Sequence, residues 1–200
     1  MFTGIVQEIG LVSHKEETDA GITLEINTSS RFLKDLNIGA SIAVNGVCLT
    51  VINFSKNKVS FDVIPETLRV TNLKFISKGS EVNLERSLKF GDEVGGHILS
   101  GHVSCTGYSN LIYKEEEVEL LIECPEAWVK YIFLKGYVAI NGASLTVAKK
   151  TDNSFSVFLI PETLNATNLS KISDKDLLNV EVDQTTYAAV KALEFRNEEN

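Results

Sequence analysis

What this chain has little of narrows its function. Cysteine is sparse: Cys48, Cys105 and Cys124 form an odd set with no paired spacing. That excludes a disulfide scaffold and points to a reducing cytoplasm. Positive charge is also short, with 19 Lys and Arg against 27 Asp and Glu, a net charge of −8 and a pI near 5.0. Nothing forms a basic patch or stripe, so nucleic acid is excluded as a partner. No run of about 18 apolar residues is present to span a membrane. No basic segment leads into an apolar run, so no secretory signal is expected. The glycines from Gly91 to Gly101 lack both a Walker lysine and the dinucleotide fingerprint, and no nucleotide cofactor is expected. His97 and His102 do not follow a zinc spacing and have no visible third ligand, so no metal site is expected.

What is there is said twice. Asn45-Gly46-Val47-Cys48-Leu49-Thr50-Val51 returns as Asn141-Gly142-Ala143-Ser144-Leu145-Thr146-Val147. At the same offset Ile64-Pro65-Glu66-Thr67-Leu68 returns as Ile160-Pro161-Glu162-Thr163-Leu164, and Thr71-Asn72-Leu73 as Thr167-Asn168-Leu169. The blocks keep their spacing, so a whole domain was duplicated; the period far exceeds the roughly 20–50 residues of solenoid repeats. Two similar domains imply two similar binding sites, an arrangement suited to joining two molecules of one kind.

Both halves read as β-rich. Alternation over Ile22–Ile26 and Val59–Val63, an apolar run from Ser41 to Val51 broken by Asn45-Gly46, and Val82–Glu85 predict strands in the first half. Val118–Ile122, Tyr137–Val147, Phe155–Leu159 and Val180–Asp183 predict the matching set. Asn-Gly between apolar runs signals a hairpin, and short strands at this spacing indicate a closed barrel or a sandwich. Pro65 and Pro161 each open a short helix. Further short helices are expected near Ser30–Leu36 and Glu126–Leu134. The domain boundary falls in the glycine-rich stretch Phe90–His97, giving domains 1–97 and 98–184. From Asp183 to Arg196, Tyr187, Val190 and Leu193 recur at helical spacing, which predicts an appended amphipathic helix that packs on a partner subunit or on its own domain.

Several residues stand out chemically. Cys48 and Ser144 occupy equivalent places, each two residues before a threonine, Thr50 or Thr146. In a strand such pairs share a face, so each domain presents a small polar group beside a hydroxyl, unless both simply lie buried in their strands. The Ile-Pro-Glu-Thr segments open helices whose free N–H groups, beside Thr67 or Thr163, can read a polar heterocycle or merely close the barrel. His102 aligns with Ile5, because Gly4-Ile5-Val6 matches Gly101-His102-Val103. An imidazole in one copy and an apolar group in the other suits two identical molecules playing different roles, with His102 able to move protons.

Taken together, Met1-Phe2-Thr3-Gly4-Ile5-Val6, the two Asn-Gly-x-Cys/Ser-Leu-Thr-Val segments, the two Ile-Pro-Glu-Thr-Leu segments, and Glu85–Phe90 leading into Gly95-Gly96-His97 and Ser100–Val103 resemble the riboflavin synthase family. The resemblance covers essentially the whole chain. It implies an all-β fold of two tandem six-stranded Greek-key barrels with short helices, plus a C-terminal helix at 185–200 that assembles a homotrimer. It implies cofactor-free dismutation of two 6,7-dimethyl-8-ribityllumazine molecules to riboflavin and 5-amino-6-ribitylaminouracil. One pocket would use Cys48, Leu49, Thr50 and Asp62, Val63, Ile64, Pro65, Glu66 and Thr67, completed by Gly101, His102 and Val103 of a neighbouring chain, with Lys135 a further contact. The other would use Ser144, Leu145, Thr146 and Phe158, Leu159, Ile160, Pro161, Glu162 and Thr163, completed by Gly4, Ile5 and Val6 of a partner. His102 is the expected proton shuttle, Ser144, Thr146, Cys48 and Thr50 the activating groups, and Asp183 their support. Association with a lumazine synthase shell is a further partner the family allows. Pigment-binding antenna relatives share the barrels but look degraded in the second repeat, which this sequence keeps intact. The loop around Lys114 to Glu117 is short for the family, and the tail after Arg196 is brief.

Overall fold

A computed structural model describes residues 1–114 and 117–198, so the tip of the short loop and the last two tail residues lie outside the described residues. The chain folds into two closed barrels, each of six antiparallel strands. The first contains β1 (Glu8–Thr18), β2 (Gly21–Asn27), β3 (Ser41–Val44), β4 (Val47–Phe54), β5 (Lys58–Val63) and β6 (Glu81–Arg86). Its order around the barrel is β1-β2-β5-β4-β3-β6, with β6 closing onto β1. The second repeats that order with β7 (Cys105–Lys114), β8 (Glu117–Glu123), β9 (Tyr137–Ile140), β10 (Ala143–Lys150), β11 (Ser154–Leu159) and β12 (Leu177–Val182). Closure leaves neither sheet with an unpaired edge.

The hairpins form where the sequence predicts them. Asn45 and Gly46 have φ of 46° and 77°, and Asn141 and Gly142 have 45° and 81°. Positive φ at both central residues is the two-residue turn whose twist matches paired strands. α1 (Pro65–Val70) and α3 (Pro161–Ala166) each start at proline as expected.

Three expectations are corrected. The first strand of each barrel was not foreseen: β1 buries little beyond Gly10 and Val12 while its second half, His14–Thr18, is largely exposed and charged, so the alternation is weak. Ser30–Leu36 is a run of turns, because its bonds close three or four residues back and Asp35 then enters the left-handed region at φ 55°. In the second barrel only Glu126–Val129 is helical (α2) before the chain turns toward Gly136. The C-terminal helix α4 (Gln184–Glu198) forms, and Tyr187 and Val190 pack on the second barrel's own core. Tyr187 joins Trp128 and Tyr131 in an aromatic cluster, whereas Leu193 stays 60% exposed.

Each barrel has its own core, centred on Leu24, Ile26, Ile42, Phe61 and Leu84 in one and Leu120, Ile122, Ile140, Phe155 and Val180 in the other. Between them the two Asn-Gly turns abut, so closely that a Cβ on Gly46 would sit 2.7 Å from the Gly142 nitrogen. Around this contact lie six buried asparagines: Asn45, Asn72, Asn83, Asn141, Asn168 and Asn179. The Asn72 N–H donates to Asn179 Oδ1, and the Asn168 N–H donates to Asn83 Oδ1, both at 2.7 Å. The Asn83 amide donates to the Asn141 carbonyl and the Asn179 amide to the Asn45 carbonyl. Buried amides are stable only when bonded, so this network fixes one relative placement of the barrels.

Candidate functional site

The residues that precede each barrel's first strand cross over to the other barrel. Phe2 and Leu99 exchange backbone hydrogen bonds at 2.9 and 3.0 Å, pinning the two lead-in segments side by side. Beyond that point Gly4 accepts a bond from Ser144 N–H in the second barrel at 2.8 Å. Gly101 accepts one from Cys48 N–H in the first barrel at 2.9 Å. Both glycines need positive φ, 75° and 79°, and neither has room for a side chain: a Cβ would lie 2.5 Å from Ser144 Cβ or 2.6 Å from Cys48 Cβ. Glycine is the residue for that combination.

A buried glutamate anchors each segment. Glu85 on β6 accepts from the Thr3 N–H, the Thr3 hydroxyl and the Gly4 N–H. Glu181 on β12 accepts from the Ser100 N–H and hydroxyl and the Gly101 N–H. Burial raises both carboxyls above their ordinary value, and these bonds hold them back.

Strand alternation turns Cys48 and Thr50 outward on β4 and Ser144 and Thr146 outward on β10, each pair on one face with the threonine exposed. The same alternation sends Leu49, Val63, Leu145 and Leu159 into the barrel cores, so these four can offer a ligand only backbone. Asp62, Ile64, Pro65 and Glu66 are exposed and Thr67 half-buried, as are Phe158, Ile160, Pro161 and Glu162 with Thr163. Asp62 accepts a bond from Thr23 at 2.7 Å; at the matching place Phe158 lies under the Lys149 ammonium. A cavity of about 770 Å³ between the barrels is floored by Asn45, Asn72, Asn141 and Asn168, and none of the expected site residues lines it.

One placement differs from the sequence reading, and three others are located by the structure. Gly101–Val103 reach Cys48, and Gly4–Val6 reach Ser144, within one chain, because the lead-ins cross inside the molecule; no neighbour is required to supply them. Lys135 belongs to the second barrel, its N–H donating to the Val147 carbonyl. Asp183 caps α4, accepting from the Thr186 N–H and hydroxyl at 2.8 and 2.7 Å. His102 is exposed, its backbone N–H on Ser100 Oγ.

The imidazole that meets a candidate nucleophile is His97. Its Nδ1 lies 2.7 Å from Ser144 Oγ, its ring stacks on Tyr137 at 5.0 Å between centroids, and the residue is only 6% exposed. Burial pulls its pKa below the ordinary value while the Asp183 carboxylate opposes that shift, which keeps the ring neutral near pH 7. The sequence reading noted His97 but gave it no role. The signal for it was Gly95-Gly96 just ahead: a Cβ on Gly96 would sit 2.3 Å from the Thr3 carbonyl and 2.9 Å from Ser144 Oγ.

Comparison with known proteins gives the family and the fold. Residues 3–87 and 100–183 each match the lumazine binding domain family. The riboflavin synthase of Buchnera aphidicola subsp. Baizongia pistaciae is 40% identical over 197 residues, covering 97% of this chain and 92% of that protein. The riboflavin synthase of Chlamydia pneumoniae is 43% identical over 186 residues, 93% and 92% of the two chains. Among solved structures, LumP complexed with riboflavin superposes with a TM-score of 0.85 at 26% identity, covering 92% of this chain and all of that one. LumP complexed with 6,7-dimethyl-8-(1'-D-ribityl) lumazine gives 0.83 at 25%, with the same coverage.

Proposed function

The chain belongs to the riboflavin synthase family, transferases that convert two molecules of 6,7-dimethyl-8-ribityllumazine into riboflavin and 5-amino-6-ribitylaminouracil, and from that premise we propose how its two barrels share the reaction. Each barrel holds one lumazine. One lies on Cys48, Thr50 and the Asp62–Thr67 segment under Gly101–Val103. The other lies on Ser144, Thr146 and the Phe158–Thr163 segment under Gly4–Val6. Lys135, Leu49, Val63, Leu145 and Leu159 complete these walls through their backbones or from the rim. The observation that carries this reading is the crossed pair of lead-ins, which finishes both pockets by one rule.

The chemistry asks for little besides placement. The ring's 7-methyl group loses a proton because the resulting anion spreads through the heterocycle, and the second ring is attacked at its electrophilic carbon. Holding the two rings together is worth about 7–11 kcal/mol of barrier. His102, exposed on its lead-in, serves as proton shuttle, and the hydroxyls and thiol of Thr50, Thr146, Ser144 and Cys48 assist activation, with Asp183 in support. No cofactor enters.

The reading extends to a homotrimer that brings the two kinds of pocket face to face between subunits, supported by exposed Leu193 and Phe195 on α4. It extends to a cytoplasmic location, supported by three free cysteines, to domain limits at 1–97, 98–184 and 185–200, and to association with the lumazine synthase that supplies the substrate.

The test is incubation of the purified protein with the ribityllumazine alone. Riboflavin formed at half the molar amount of lumazine consumed supports the reading. Tight binding without riboflavin sinks it and makes the chain a pigment-binding protein.

A further inference from the structure

The two pockets share a framework but not a proton acceptor. Ser144 Oγ faces the buried His97 Nδ1 at 2.7 Å, whereas no hydrogen bond joins the Cys48 thiol to any imidazole among the described residues. His97 lies in the linker between the barrels, between β6 and β7.

Three features make the His97–Ser144 contact more than a buried hydrogen bond. The ring is held by its stack on Tyr137, and the backbone N–H of His97 donates to the Thr3 carbonyl at 3.0 Å, fixing the segment that carries it. Its Nε2 is buried without a partner, an arrangement that costs about 1–3 kcal/mol and calls for a reason. The Asp183 carboxylate at the start of α4 acts on the ring electrostatically and offsets part of the burial that disfavours an imidazolium there. Tyr137 on β9 is the other titratable group against the ring, and Glu85 on β6 is occupied with Thr3 and Gly4.

We propose that His97 is the positioning base of the second barrel: it orients the Ser144 hydroxyl toward the bound ring and takes its proton as that oxygen engages the ring. In balanced form, an Oγ lone pair forms the bond to the electrophilic ring carbon, and the π pair of that carbon moves onto the ring nitrogens. The hydroxyl proton passes to Nδ1, and elimination returns it when the oxygen leaves. His97 never touches the substrate. The inference rests on the synthase reading above, and it assigns the electrophile-activating role to the Ser144 pocket.

The test compares wild type with His97→Asn, whose amide keeps a hydrogen bond to Oγ without accepting a proton, with Ser144→Ala, and with the double variant. His97→Asn is expected to lower kcat about 10²-fold with KM within about threefold, a loss in the range of general-base removal. The acid limb of the kcat–pH profile should vanish with it, and the double variant should be no slower than Ser144→Ala alone, because the pair acts as one unit. A parallel reading by NMR needs no turnover. In the wild type burial holds the His97 titration below the ordinary value, and Ser144→Ala moves that titration. A His97→Asn enzyme with unchanged kcat and pH profile, or a His97 titration indifferent to Ser144→Ala, overturns the inference and leaves the synthase reading standing. A wild type that makes no riboflavin overturns both.

Discussion

The first and second barrels agree in backbone and disagree on their outward faces. They share strand order, hairpin turns, proline-started helices, a buried glutamate holding a lead-in, and a glycine at positive φ pressed against β4 or β10. They differ where side chains turn away from the cores. Cys48 stands for Ser144, Asp62 for Phe158, and the exposed Glu66–Arg69 pair of the first barrel faces Asn165 at the matching place in the second. Core positions answer to packing and turn positions to φ, so both copies satisfied the same constraints. Outward positions are bound less tightly: Thr50 and Ile64–Glu66 recur as Thr146 and Ile160–Glu162, while Cys48, Asp62 and Arg69 have diverged.

Breaking the lead-ins tests this comparison most severely. Gly101→Ala places a Cβ against Cys48 and Gly4→Ala one against Ser144, both at positive φ. Each should cut turnover by about 10²-fold or more, since displacing a reactant by an ångström costs that much. Each should also remove one lumazine site of two, the first barrel's for Gly101→Ala and the second's for Gly4→Ala. Titration calorimetry of the bound stoichiometry checks this, and loss of both sites in either variant would break the assignment.

The asparagine network should show the two barrels as equals. Asn179→Ala strips partners from the Asn72 N–H, Asn72 Oδ1 and the Asn45 carbonyl. Asn83→Ala strips them from the Asn168 N–H and the Asn141 carbonyl. With about 1–3 kcal/mol per orphaned group, partly relieved by water, each should lose about 2–4 kcal/mol. In a chain of this size that lowers Tm by about 4–16 °C. A marked inequality between the two would show that the interface is not symmetric in energy.

The smallest effect is the dependence on pH, which separates the barrels again. His97 is held below its ordinary pKa by burial, so below about pH 6.5 the unfolded chain binds a proton that the folded one refuses, and stability falls as pH drops through that value. Glu85 and Glu181 act in the opposite sense: raised above 4.5, they are better accommodated protonated, and stability from them declines as pH rises through their folded pKa. Urea melts from pH 7.5 to 5.5 should show a fall of order 1 kcal/mol that His97→Asn flattens. An unchanged slope in that variant would place the titration elsewhere.

Much of the fold was legible because repetition doubled every local signal. Asn-Gly at 45 and 141 and proline at 65 and 161 act on their own φ angles and on immediate neighbours, so their effect could be read directly. β1 escaped because a strand half exposed and rich in charge has little alternation to show, and β7 because its apolar residues cluster at Leu111–Tyr113 after a stretch of Thr, Gly, Ser and Asn. The site was legible in part. The outward faces of Cys48 and Ser144 follow from period-two geometry, but Leu49, Val63, Leu145 and Leu159 lie inward by that same rule. His97 escaped because no repeated motif marks it, and His102 drew attention because it aligns with Ile5.

The sequence by itself determined that there are two like domains, where their hairpins and short helices start, and which strand faces carry a thiol or hydroxyl. These depend on dihedral preferences and spacing within a few residues. Only the tertiary structure decided that each lead-in completes the other barrel's pocket, that six asparagines lock the barrels together, and that His97 rather than His102 meets Ser144. Those contacts join residues 47 to 140 positions apart, and their energy comes from burial and hydrogen bonds that exist only once both cores have closed.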